Sequence, residues 1–119
     1  MDTTNLDEFV NAYIECALWL PVGDDDEPDT SNWTVYTIPS DIRAEIELDC
    51  ISFIAENLPL LSGLNARQCG HDFFLTRNGH GAGFWDRGYG EIGEKLTEAC
   101  RPYGSQNLSV SGESIFLVD

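Results

Sequence analysis

The chain has 119 residues, 42% of them hydrophobic and 11% aromatic, enough to bury one core and too few for two, so residues 1–119 are expected to form a single domain. Its formal charge is −15; phosphate binding draws on Lys and Arg, so direct contact with DNA, RNA or an anionic membrane is not expected. No apolar run approaches the roughly 18 residues of a membrane span, and Met1–Asn5 lacks the basic-then-apolar layout of a signal peptide, which together predict a cytoplasmic protein. Four widely spaced cysteines, Cys16, Cys50, Cys69 and Cys100, form no C-x-x-C pair and read as buried free thiols.

From the N-terminus, Leu6, Phe9, Val10, Tyr13, Ile14, Ala17 and Leu18 recur at helical steps, with Asn5 and Glu8 placed as a cap pair. This predicts a helix over 5–20, ended by Pro21 and Gly23. Asp24, Asp25, Asp26, Glu27, Pro28 and Asp29 follow, a run of like charge that predicts an exposed acidic loop. It fails as a calcium loop, because the required Gly and the closing Glu are absent and Pro28 interrupts it. Trp33–Thr37 reads as a short strand or extended segment. Pro39-Ser40 offers a cap to a second helix over 41–57, where Ile42, Ile46, Cys50, Phe53, Ile54 and Leu58 make the apolar stripe. Ala44, Leu48, Ile51 and Ala55 widen that stripe and predict a largely buried helix.

Asp72–Arg77 and His80–Trp85 flank Asn78-Gly79, a pair that favours a hairpin because both turn positions need positive φ. With a two-residue turn, Arg77 faces His80, Phe73 faces Phe84, and His71 faces Asp86. A third helix is predicted over 91–101, with Ile92, Leu96 and Ala99 inward and Pro102 and Gly104 closing it. The tail, Leu108–Val110 and Ser114–Val118 around Ser111-Gly112-Glu113, reads as a second hairpin. The expected fold is therefore α+β in the order ααββαββ, with two N-terminal helices packed on a small antiparallel sheet and a third helix between two hairpins.

The segment Gly70-His71-Asp72-Phe73-Phe74-Leu75-Thr76-Arg77-Asn78-Gly79-His80-Gly81-Ala82-Gly83-Phe84-Trp85-Asp86-Arg87-Gly88 resembles a stretch found in small proteins encoded by bacteriophages and mobile elements, most of them without an assigned role. The resemblance is strong over residues 71–88 and implies a phage or mobile-element origin, hence a bacterial host cell, more than an activity. Within the segment, His71, His80 and Asp86 invite a second reading as a small enzyme or metal-dependent module. Yet Cys69 and Thr76 have no nucleophile signature around them, and His71, His80, Asp72 and Asp86 fit no metal spacing template. The glycines lack the strand-to-helix setting of a phosphate cradle. No cofactor is expected. Phe84, Trp85 and Arg87 have the residue types of an interface patch.

Charge gives the functional expectation. Residues 1–57 hold 14 acids against Arg43, net −13, while residues 58–119 hold seven acids against five bases, net −2. On the second helix Asp41, Glu45, Asp49 and Glu56 fall on one stripe, with Glu47 beside it. Like charges at such spacing weaken a helix by a few tenths of a kcal/mol each, so folding does not ask for them. The rise of about 6 Å per four residues lies near the phosphate spacing of a nucleic-acid strand. With the 24–29 run, this stripe predicts a DNA-mimicking interaction protein whose partner is a basic nucleic-acid-binding protein; the resemblance to phage proteins implies that this partner is a host protein of restriction, CRISPR or recombination type. The bland alternative is a solvated face that keeps the protein soluble.

Overall fold

The computed structural model describes residues 3–21, 30–111 and 114–119. In chain order the elements are α1 (Thr3–Trp19), α2 (Ser40–Glu56), a single turn α3 (Leu58–Leu61), α4 (Ala66–Arg77), α5 (Glu91–Cys100), β1 (Asn107–Ser111) and β2 (Ser114–Val118). Short 3₁₀ turns lie at Phe84–Asp86 and Arg101–Tyr103. The fold is helix-rich with one C-terminal antiparallel pair, not the expected ααββαββ.

Three helices lie where the apolar period puts them. α1 begins at Thr3, so Asn5 lies inside the helix rather than at its cap. α2 follows Pro39 without a side-chain cap bond, and buries Ile42, Ile46, Cys50, Phe53 and Ile54. Ala44, Leu48, Ile51 and Ala55, expected to widen the buried stripe, face outward instead. In α5 Leu96 and Cys100 are buried and Ala99 partly so, but Ile92 is exposed. The tail pairs as expected, in register Leu108 with Leu117 and Val110 with Ile115.

The first expected hairpin is the main correction. Residues 66–77 form α4, capped by Asn65, whose side chain accepts from Gln68 N at 2.9 Å. Gly79 does have positive φ, +72°, but Asn78 does not, with φ −98°. Asn78 is the C-cap. Gly79 N donates to Thr76 O at 3.2 Å and His80 N to Leu75 O at 3.0 Å, the paired bonds of a Schellman helix end. A glycine with positive φ serves a helix stop as well as a hairpin turn, and here it stops a helix. The cross-strand pairs Arg77 with His80, Phe73 with Phe84 and His71 with Asp86 therefore do not form. Trp33–Thr37 is likewise not a strand, and its 34–37 part is a turn. Thr37 Oγ1 accepts from Thr34 N at 2.8 Å and Thr34 Oγ1 from Tyr36 N at 3.2 Å, local hydroxyl bonds that fold the segment into a turn.

α4 packs against α1 at its glycine. A Cβ on Gly70 would run into the backbone carbonyl of Phe9 and touch Ala12, so the absent side chain is what lets the two helices meet this closely. The core that results is aromatic. Phe53 stacks on Phe73 at 4.3 Å between ring centroids, Phe84 lies 5.8 Å from Phe53, and Tyr13 meets Phe74 edge-on at 5.3 Å. Phe73 and Phe84 thus meet around Phe53 of α2, and not across a sheet. No helix of the described residues is long and apolar enough to cross a membrane.

Candidate functional site

Two arginines of the 70–88 segment are held by carboxylates, one inside the core and one from its surface. Arg77, at the end of α4, is buried and donates to Gly104 O at 2.9 Å, Tyr103 O at 3.0 Å and Tyr13 Oη at 3.3 Å. It also pairs with Asp49 Oδ2 at 2.9 Å and lies over the rings of Phe73 and Tyr103. Arg87 reaches from the loop after the 84–86 turn to the fully buried Asp72, with Nε at 3.0 Å and Nη2 at 2.9 Å from Oδ1. Gln68 donates to the same oxygen at 3.1 Å. This hydrogen-bonded pairing raises the pKa of Arg87 further.

The residues of the enzymatic reading are scattered. His71 sits on α4 edge-on to Trp19, 5.8 Å between centroids, and burial lowers its pKa. His80 stacks on Phe74, and Asp86 is exposed in its 3₁₀ turn. Thr76 Oγ1 accepts from Phe84 N. Burial pushes the Cys16 thiol up to about 11, and the Cys69 and Cys100 thiols up to about 12; the Cys50 thiol is raised as well. All four cysteines are free and buried. Among the described residues no cluster of three or more His, Cys, Asp or Glu is placed to hold a metal ion.

The aromatic-and-arginine patch does not assemble either. Phe84 is in the core and Arg87 is bound to Asp72, which leaves Trp85, 53% exposed, alone of the three.

The acidic stripe fares differently. Asp41 and Glu45 are exposed and make no ion pair or side-chain hydrogen bond among the described residues. Glu56 is exposed, accepting a long bond from Ser52 Oγ at 3.4 Å and another from Tyr103 Oη at 3.4 Å. Asp49 is the member folding takes over, because Arg77 holds it, and Glu47 pairs with Arg43 at 3.0 Å. Beside the carboxylate stripe stand Leu48, 68% exposed, and Ile51, 46% exposed. Asp41 and Glu45 also border a cavity of about 270 Å³ shared with Ile42, Ile115, Phe116 and Leu117. Asp24, Asp25, Asp26, Glu27 and Asp29 lie outside the described residues.

The stripe was legible from helical spacing, and its apolar centre was not, since Leu48 and Ile51 read as core. The Asp72–Arg87 pair was missed because a buried charge has no period of its own. No protein-family model matches this chain, and neither curated proteins nor solved structures yield a match.

Proposed function

We propose that the chain is an acidic interaction protein of the phage type. It occupies a basic, nucleic-acid-holding surface on a host defence or DNA-processing protein, as an anti-restriction or anti-CRISPR inhibitor would, in the cytoplasm of a bacterial cell. One observation carries the reading. Every arginine is held in an ion pair, Arg43 by Glu47, Arg67 by Glu15, Arg77 by Asp49, Arg87 by Asp72 and Arg101 by Glu98, while Asp41 and Glu45 stand outward and meet no cation among the described residues.

The surplus charge is therefore free to act on a partner, and such fields steer association and suppress wrong partners more than they add raw affinity. Asp49 drops out of the ladder as a free charge. The contact rests on Asp41, Glu45 and Glu56, with the five acids of 24–29 adding to the field. Direct nucleic-acid binding is disfavoured on the same ground, for no arginine is left unpaired to meet a phosphate.

The test is competition. Proteins retained from a bacterial lysate on the immobilised chain are challenged with duplex DNA at fixed salt. Release of nucleic-acid-binding proteins by the duplex supports the reading. Retention that DNA does not disturb, or an absence of nucleic-acid-binding proteins, contradicts it.

A further inference from the structure

Resting on the proposed role, we infer that the outer face of α2 is a docking seam for a basic amphipathic helix of the partner protein. Ala44, Leu48, Ile51 and Ala55 follow one another at steps of four, three and four, and all four are exposed. That is the a/d spacing by which one helix receives another, with large residues as knobs and small ones letting the backbones approach. In an isolated helix of a folded domain these positions would ordinarily be polar. Leu48 and Ile51 are the centre, and Phe116 of β2, 46% exposed beside Asp41 and Glu45, adds a third apolar anchor near the N-terminal end of the helix.

Charge decides what covers the seam. Glu45 directly follows Ala44 on the seam's edge, Asp41 precedes it by one turn, and Glu56 stands at the far end. The one base of α2, Arg43, is held by Glu47, by Asn11 Oδ1 at 2.8 Å and by Val35 O at 3.1 Å. A second copy of this chain would bring carboxylates against carboxylates, with −15 facing −15, and like charge across a helix pair works against association. A helix with Leu or Ile along one stripe and Lys or Arg beside it satisfies both the apolar centre and the acidic edge.

The probe is a synthetic peptide of about 18 residues, matched in length to α2, with Leu at a/d and Lys at the flanking positions. A scrambled peptide of the same composition is the control, and binding to the full chain is read by fluorescence anisotropy at moderate salt. The patterned peptide is expected to bind at least about tenfold tighter than the scrambled one, and the double variant Leu48→Asn, Ile51→Asn to erase that preference with its circular dichroism unchanged. Equal binding of the two peptides overturns the inference while leaving the acidic reading standing, since charge alone then suffices. A preference that survives the double variant places the helix elsewhere and overturns it too. Concentration-dependent dimers in sedimentation, dispersed by Leu48→Asn, would assign the seam to a second copy and overturn it as well. Failure of the DNA competition with the peptide preference intact would sink the nucleic-acid-site reading and leave the seam.

Discussion

α4 and the outer face of α2 use charge in opposite ways. On α4, Asp72 and Arg77 are buried and each meets an opposite charge, so the fold has claimed both. On α2, Asp41 and Glu45 face water and meet no cation among the described residues, and Leu48 and Ile51 stand exposed further along the helix, so folding pairs none of these side chains. A charge that folding has paired is unavailable to a partner, and a charge that folding leaves alone is where binding is to be sought. Arg87 belongs to the first group and Glu45 to the second, although sequence reasoning offered each as a partner-binding residue, one in the interface patch and one in the acidic stripe.

The contrast breaks first at Arg77. Arg77→Met takes the donor from the Gly104 and Tyr103 carbonyls and Tyr13 Oη and is expected to cost about 3–5 kcal/mol in urea unfolding, mostly through these charge-assisted hydrogen bonds, since the Asp49 left behind is 34% exposed and can be solvated. Gly70→Ala should follow at about 1–3 kcal/mol or more, because the added methyl meets the Phe9 carbonyl and α1 must shift. Arg87→Ala leaves Asp72 buried without its cation; since the Arg87 side chain is 30% exposed and water can enter as it leaves, about 2–3 kcal/mol is expected. Asn65→Ala, which removes only the α4 cap, should cost about 1 kcal/mol. At the small end, Asp41→Asn and Glu45→Gln should fall within about 0.5 kcal/mol of the parent. If either cost as much as Arg87→Ala, the division between the two regions would be wrong.

A pH titration sharpens the same comparison. Burial lowers the pKa of His71 from 6.5, so below that value the unfolded chain takes up a proton the folded chain resists. The contribution is intact above pH 6.5 and is lost as pH falls from there through the folded value. Denaturation midpoints of the parent should therefore fall faster across that window than those of His71→Gln, while Asp41→Asn should leave the His71-linked difference unchanged.

Much of the architecture was readable. The 3.6-residue period marked α1, α2 and α5 because their buried sides are apolar, and the alternation around Ser111-Gly112-Glu113 marked the tail hairpin. α4 was missed although Ala66, Cys69, Phe73 and Arg77 keep a helical step and Asn65-x-x-Gln68 has the form of a cap. Asn78-Gly79 outweighed them, because within that dipeptide a helix stop and a hairpin turn share the positive φ of Gly79 and part only at Asn78. The two buried charges were beyond reach for a different reason. Lys, Arg, Asp and Glu are rarely buried, and only the partners brought by the fold, Tyr103 and Gly104 for Arg77 and Arg87 for Asp72, make those positions tolerable. The site was half legible: spacing located the carboxylates, whereas which of them folding would claim depended on contacts with Arg77 and Arg43. Leu48 and Ile51 were assigned to the core because sequence does not say which side of a doubly apolar helix meets the rest of the chain.

On the proposed function, the outward carboxylates of α2 serve a partner and not the fold. The most direct measurement compares the parent with the double variant Asp41→Asn, Glu45→Gln in two readouts at once, the thermal midpoint and the capture of nucleic-acid-binding proteins from a bacterial lysate. An unchanged midpoint with capture weakened about tenfold or more is the expected result. Capture that persists undiminished in the neutralised variant would contradict it.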